Sequence, residues 1–205
     1  MKNYTNIAII GGSVLIVGAI MYFFLRPKGS DVKKIGELII SKPKGKMRQK
    51  VIIIWGGISY ATPDWVLGQI PLKVKNNYLL VIAPYTMSLD KVNSTILPYF
   101  SNNNINVSQY SLAGFSAGGK KVLDGYSKNY KKVGLIDPST NSTLSNQNFG
   151  DNVVMTYNPK NWGSYPNIKK SFPVLAKNII NGGGKVENID MKHKEFVKYY
   201  FENNY

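Results

Sequence analysis

The stretch SLAGFSAGGKK, residues 111–121, sets one serine, Ser116, between Gly114 and Gly118, just where an apolar run gives way to lysines. Glycine two residues before and two residues after a serine suits a sharp strand-to-helix corner, because larger side chains there would collide with the adjoining strand or helix. A hydroxyl pushed outward on such a corner is placed to attack an acyl carbonyl. It is a poor nucleophile at neutral pH until a base takes its proton. The sequence contains a single histidine, His193, so any imidazole-dependent step runs through that residue. The backbone N–H of Ala117, at the start of the helical stretch that follows, would meet developing negative charge favourably. There is no cysteine, which removes disulfides, thiolate zinc sites and cysteine nucleophiles, and one histidine cannot build a multi-histidine metal site. No metal and no cofactor are expected.

Those residues need a scaffold, and beyond residue 50 the pattern becomes regular. Apolar runs at 50–57, 78–85, 107–116, 132–139 and 152–159, with a last candidate at 184–191, read as strands buried on both faces. Helix-compatible stretches at 63–74, 89–102, 117–130, 165–181 and 193–204 lie between and after them. The alternation predicts βαβ units and an α/β fold, a mainly parallel sheet flanked by helices. Sites in such sheets form at the C-terminal ends of the strands. Gly56-Gly57, Pro84-Tyr85, Ser116, Asp137 and Asn158 all fall just past predicted strand ends, and His193 follows the last one.

Over about residues 50–205 the chain resembles the α/β-hydrolase superfamily, in its serine esterase and lipase form. The resemblance rests on GFSAGG (114–119) at the fifth-strand position, WGG (55–57) after the third, and a late histidine ahead of the terminal helix. It implies a compact α/β-hydrolase fold, with the first two strands absent or degenerate, and a Ser116–His193–acid site. It also implies a second oxyanion donor beside Ala117, the backbone N–H of Gly57 or Ile58. Trp55-Gly56 stands where many members have His-Gly, a change that a backbone donor tolerates. Members usually carry the acid after the strand matched by 152–159, and that position holds Asn158. Some carry it one strand earlier, where this chain has Asp137. Asp137 is the expected acid and Asn158 the alternative, since an amide orients imidazole without stabilising its cation. Asp190 lies too close to His193 along the strand.

Twenty-six basic against eleven acidic residues give a formal net charge of +15. That balance favours anionic partners such as phospholipid headgroups. The lysines are spread along the chain with no aromatic-interleaved basic module, so no nucleic-acid partner is expected. Residues 6–25 are uncharged and almost wholly apolar, and about 20 such residues span a bilayer as a helix. Arg26 and Lys28 end the run with no small-residue cleavage site before them, which predicts an uncleaved single-pass anchor over 1–28 instead of a signal peptide. The basic residues that follow place the C-terminal domain on the cytoplasmic side, or on the corresponding side of a virion membrane. Residues 29–49 read as a basic juxtamembrane linker, with a short amphipathic helix in DVKKIGELIISKP lying against headgroups.

The expected function is that of a membrane-anchored serine hydrolase acting on carboxylic esters or lipids. Its partners would be a lipid membrane and a small-molecule or lipid ester. The competing reading is a non-catalytic hydrolase-fold component of a membrane or virion, favoured by Asn158 and Trp55. An acyltransferase or peptidase on the same scaffold is a third.

Overall fold

Strands that are apolar on both faces require helices on both sides, and a computed structural model shows that arrangement over the residues it describes, 29–45, 48–139 and 147–205. Among these, eight strands form one sheet in the order β1-β2-β4-β3-β5-β6-β7-β8. They are β1 (Ser30–Ile35), β2 (Leu38–Pro43), β3 (Arg48–Trp55), β4 (Leu79–Ala83), β5 (Asn106–Phe115), β6 (Val133–Ile136), β7 (Val153–Tyr157) and β8 (Lys185–Asn188). From β3 to β8 the neighbours run parallel, and β2 is antiparallel to both β1 and β4.

The helices of the described residues are α1 (Pro63–Gln69), α2 (Leu72–Lys75), α3 (Leu89–Asn102), α4 (Gly118–Asp124), α5 (Pro166–Asn181) and α6 (Phe196–Asn204). Alternate residues of β3 feed opposite cores. Val51, Ile53 and Trp55 pack with α3, α4 and α5, whereas Ile52 and Ile54 pack with α1, α2 and α6. Each isoleucine so buried stabilises the fold by about 2 kcal/mol relative to exposure. The two cores hold the sheet between three helices and three.

The segment expected to be a linker with a helix is instead β1, β2 and the start of β3. Gly36, at φ 57°, and Glu37 form a two-residue hairpin turn, with Ile35 paired to Leu38. The apolar spacing of Val32, Ile35, Leu38 and Ile39 suits a helix face as well as a hairpin, which is why local pattern misplaced it. Burial decides the matter. Leu38, Ile39 and Ile40 are almost completely buried between the helix layers, a gain that a helix lying on headgroups would not match. β1 remains a mostly exposed edge carrying Lys33 and Lys34, charges that discourage further strand pairing. The two strands that the resemblance left absent or degenerate are therefore present, and the sheet starts near residue 30 instead of residue 50. The predicted helix at 117–130 is also shorter, ending at Asp124.

The expected anchor, 1–28, lies outside the described residues. Among those described, no helix is long and apolar enough to cross a membrane. Strand polarity fixes one further point. β1 runs in the same direction as β3 and β4, so Ser30 sits at the N-terminal rim of the sheet, opposite the rim where β3, β5, β6 and β7 end.

Candidate active site

The corner at Ser116 is built by contact from three sides. Its N–H donates to Ile136 O at 3.0 Å, and its carbonyl accepts from Gly119 at 3.0 Å and Ser139 at 2.9 Å. The backbone is held at φ 53°, a left-handed conformation that costs a non-glycine residue about 1–2 kcal/mol. Four non-glycine residues among those described have positive φ, and three of them, Ser59, Ser116 and Asp137, lie on this one rim. Strain gathered at one place is a pointer to function.

The glycines around the serine have specific neighbours. A Cβ on Gly114 would stand 2.3 Å from Gly118 O, and one on Gly118 would stand 2.4 Å from Gly56 O. Both obstacles are backbone atoms with nowhere to move. Gly114→Ala should accordingly lower stability by about 3 kcal/mol, read as a fall in Tm in thermal unfolding, and should displace Ser116.

The β3 exit crosses directly over the serine. A Cβ on Gly57 would approach Ser116 Cβ at 2.9 Å and Ser116 Oγ at 3.3 Å. The two candidate donors there separate at once. Gly57 N–H is already donated to Ala61 O at 3.2 Å, closing a tight turn, so the expectation of Gly57 as an oxyanion donor is corrected. Among the described residues neither Ile58 N–H nor Ala117 N–H has a backbone acceptor. Trp55 takes no part at the rim. Its ring is fully buried and donates Nε1–H to Met87 O at 2.9 Å.

Asp137 and Asn158, the two candidates for the acid, also separate by their contacts. Asp137, just past β6 and completely buried, lies with Oδ2 2.6 Å from His193 Nδ1. A distance this short is that of a charge-assisted bond. The imidazole lies on the ring of Phe115, the residue before Ser116, with centroids 4.5 Å apart and planes 29° from parallel. Trp162 meets it edge-on at 4.9 Å. His193 is thus held against the residue that precedes Ser116, with a quarter of its side chain exposed.

Asn158 does other work. Its side chain accepts from Lys160 N–H at 3.0 Å and donates to Asp190 Oδ1 at 3.2 Å and Met191 O at 3.0 Å, while its backbone N–H donates to Asp137 Oδ1 at 3.0 Å. Asp190 is exposed and paired with Lys160 at 2.6 Å, whose ammonium holds the carboxyl below its usual range. Two residues that sequence reasoning passed over also touch the acid. Asn161 Nδ2 donates to Asp137 Oδ2 at 2.8 Å and Trp162 Nε1 to Oδ1 at 3.2 Å. The signal available was the run NPKNW directly past a predicted strand end, dense in donors at the rim.

Aromatic contacts extend outward from His193 on both sides. Phe115 stacks on Trp65 at 5.6 Å and Trp65 meets Tyr60 edge-on at 5.1 Å, while Trp162 leads to Tyr165 at 6.1 Å. Tyr60 and Tyr165 end this series exposed, and Ile58 is exposed two residues before Tyr60. Burial, and then the charge of Asp137, push the Tyr60 phenol above its ordinary value, so it stays a neutral hydroxyl at physiological pH. A groove of 520 Å³ opens between α1 and α6, lined by Trp65, Gln69, Met191, Lys194, Glu195 and Lys198 among others, with neither Ser116 nor His193 in its walls. Among the described residues no group of three or more His, Asp or Glu is placed to hold a metal ion.

No protein-family model and no curated protein matches the sequence. Solved structures do match its fold. An α/β serine hydrolase without a lid, from Xanthomonas campestris, superposes with a TM-score of 0.57 at 12% identity, covering 86% of this chain and 94% of that one. The siderophore hydrolase EstB from Aspergillus nidulans gives 0.54 at 12% identity, over 85% and 94%. Poly(aspartic acid) hydrolase-1 from Sphingomonas sp. KT-1 gives 0.53 at 11% identity, over 86% and 98%. Identities this low speak to architecture alone. The chain has the α/β-hydrolase fold.

Proposed function

We propose that the protein is a serine hydrolase of carboxylic esters, with Ser116 as nucleophile, His193 as general base and Asp137 as the acid that orients it. One observation carries the reading: the 2.6 Å Asp137–His193 bond, with the imidazole lying on the residue next to a strained serine. In this reaction His193 takes the Ser116 proton as Oγ attacks the ester carbonyl carbon. The tetrahedral oxyanion is held by the Ile58 and Ala117 N–H groups, each such donor being worth about 10²–10³ in kcat. The bond to the alcohol oxygen then breaks, His193 returns the proton to that oxygen, and an acyl-serine remains. Water, deprotonated by the same imidazole, releases the carboxylic acid and restores Ser116.

The fold neighbours support a hydrolase, three of them being named as such. The features that favoured a non-catalytic role now have structural explanations. Asn158 ties loops together and Trp55 fills the core, so neither marks a lost catalytic group. Exposed Ile58, Tyr60 and Tyr165 suit a substrate with an apolar acyl or alcohol group. The test is covalent: a fluorophosphonate, which phosphonylates an activated serine, modifies the folded protein once, at Ser116.

A single-pass anchor at 6–25 belongs to the same proposal. It would leave only the four residues 26–29 before β1, a reach of about 14 Å. Ser30 lies at the rim opposite Ser116, and a parallel strand of eight residues is about 26 Å long. An anchored domain would then present its site away from its own bilayer, towards esters arriving from the aqueous side. In membrane fractions the intact chain should resist carbonate washing, and a chain beginning at Gly29 should be released while still hydrolysing a water-soluble ester. Release of the intact chain by carbonate would remove the anchor.

A further inference from the structure

The buried carboxylate of Asp137 has four nitrogens at hydrogen-bond distance, two on each oxygen, and three of them donate N–H groups to it. Oδ1 accepts from Asn158 N–H at 3.0 Å and Trp162 Nε1–H at 3.2 Å. Oδ2 accepts from Asn161 Nδ2–H at 2.8 Å and lies 2.6 Å from His193 Nδ1. The three donors come from one stretch, residues 158–162, the exit of β7 and the 3₁₀ turn Pro159–Trp162 that follows it. A fully buried carboxylate needs hydrogen bonds in place of its lost water. Here one short turn supplies most of them.

The same turn also reaches the histidine. Asn161 Nδ2 donates a second hydrogen to Met191 O at 3.1 Å, two residues before His193, so one amide links the acid to the segment that carries the base. Trp162 donates to the Asp137 carboxylate with its indole N–H and meets the imidazole at right angles with its ring, while Phe115 stacks on that imidazole. Neither residue's recorded polar contacts involve Ser116, so both act through Asp137 and His193.

We infer that Asn161 and Trp162 are positioning residues, which hold the Asp137 carboxylate in one orientation and lock His193 in the tautomer that carries its proton on Nδ1. The inference rests on the serine-hydrolase reading for its purpose, but its physical content, the holding of one ring, is measurable without any substrate. His193 is the only histidine in the sequence, so its ring signals in an NMR spectrum are assigned without ambiguity.

The experiment compares wild type with Trp162→Phe, which keeps a ring and loses the donor, with Asn161→Ala, and with the double variant. Wild type should show one downfield, slowly exchanging imidazole N–H proton. That signal should broaden or vanish in the double variant while the methyl spectrum of the core is unchanged. Fluorophosphonate labelling supplies the second readout. Each single variant should slow the limiting labelling rate by about tenfold, as loss of a hydrogen bond to a charged group predicts, with the concentration for half-maximal rate unchanged. If Asn161→Ala fails to fold, Trp162→Phe carries the test alone. A ring-proton signal and a labelling rate equal to wild type in the folded variants would overturn the inference. Wild type that shows the protected ring proton but never labels would overturn the hydrolase reading instead, and leave the positioning intact.

Discussion

Ser116→Ala should abolish covalent labelling by a fluorophosphonate and lower ester turnover by about 10⁶-fold, with Tm close to that of wild type. The stability half of this expectation follows from the corner's construction. Its backbone bonds to Ile136, Gly119 and Ser139 do not involve the hydroxyl, and alanine keeps the Cβ that already packs beneath Gly57. The activity half follows from the chemistry. Without Oγ there is no atom to carry the acyl group, and the oxyanion donors alone accelerate attack by water only modestly. His193→Ala should fall to a similar level, and the double variant no lower, because nucleophile and base act as one unit. Labelling that persists in Ser116→Ala, or its absence from folded wild type, would end the enzyme reading.

Much of this was open to reading in the sequence because it depends on local sterics. Gly114 and Gly118 identify the corner, since the clashes they avoid lie within a few residues of the serine or on the strand beside it. The parallel strands announce themselves by unbroken apolar runs. What escaped depends on partners distant along the chain. β1 and β2 are too short and too lysine-rich to be told from a helix until β4 is placed against Ile39, Ile40 and Ser41. The choice between Gly57 and Ile58 turned on a hydrogen bond to Ala61 O, a detail of turn geometry that no spacing encodes. Asn161 and Trp162 meet Asp137 across 24 and 25 residues of sequence, through a turn whose conformation is set by the Asn158 cap and Pro159.

The acid's position follows from strand register. β6 and β7 are neighbours, with Ile136 opposite Thr156, and Asp137 N–H continues the ladder to Thr156 O at 2.7 Å. Residues leaving the two strands therefore emerge about 4.8 Å apart, close enough for either exit to serve one imidazole. This chain puts the carboxylate on β6 and the donors on β7. The positive φ of Asp137, 39°, is the backbone cost of turning the carboxylate into that cluster of donors.

Asp137→Asn should then be the second most damaging change, lowering turnover and labelling by about 10⁴-fold, and it should also destabilise the fold. Every group facing Asp137 is a donor, so an amide must aim its own NH₂ at two of them, leaving N–H groups unpaired in a site with no solvent exposure. Each buried donor so orphaned costs about 1–3 kcal/mol. The neutral amide also fails to favour the Nδ1–H tautomer of His193 or to balance the imidazolium formed when Ser116 gives up its proton. Asn158→Ala is the matched control. It keeps the backbone N–H that bonds Asp137 and loses only the cap on Lys160 and the ties to Asp190 and Met191, so it should cost about 1 kcal/mol of stability and retain labelling within about tenfold of wild type. Thermal unfolding and labelling rates on the two variants separate the outcomes. A folded Asp137→Asn that labels at the wild-type rate, beside an inert Asn158→Ala, would transfer the orienting role to the amide and leave the short Asp137–His193 bond as a structural contact.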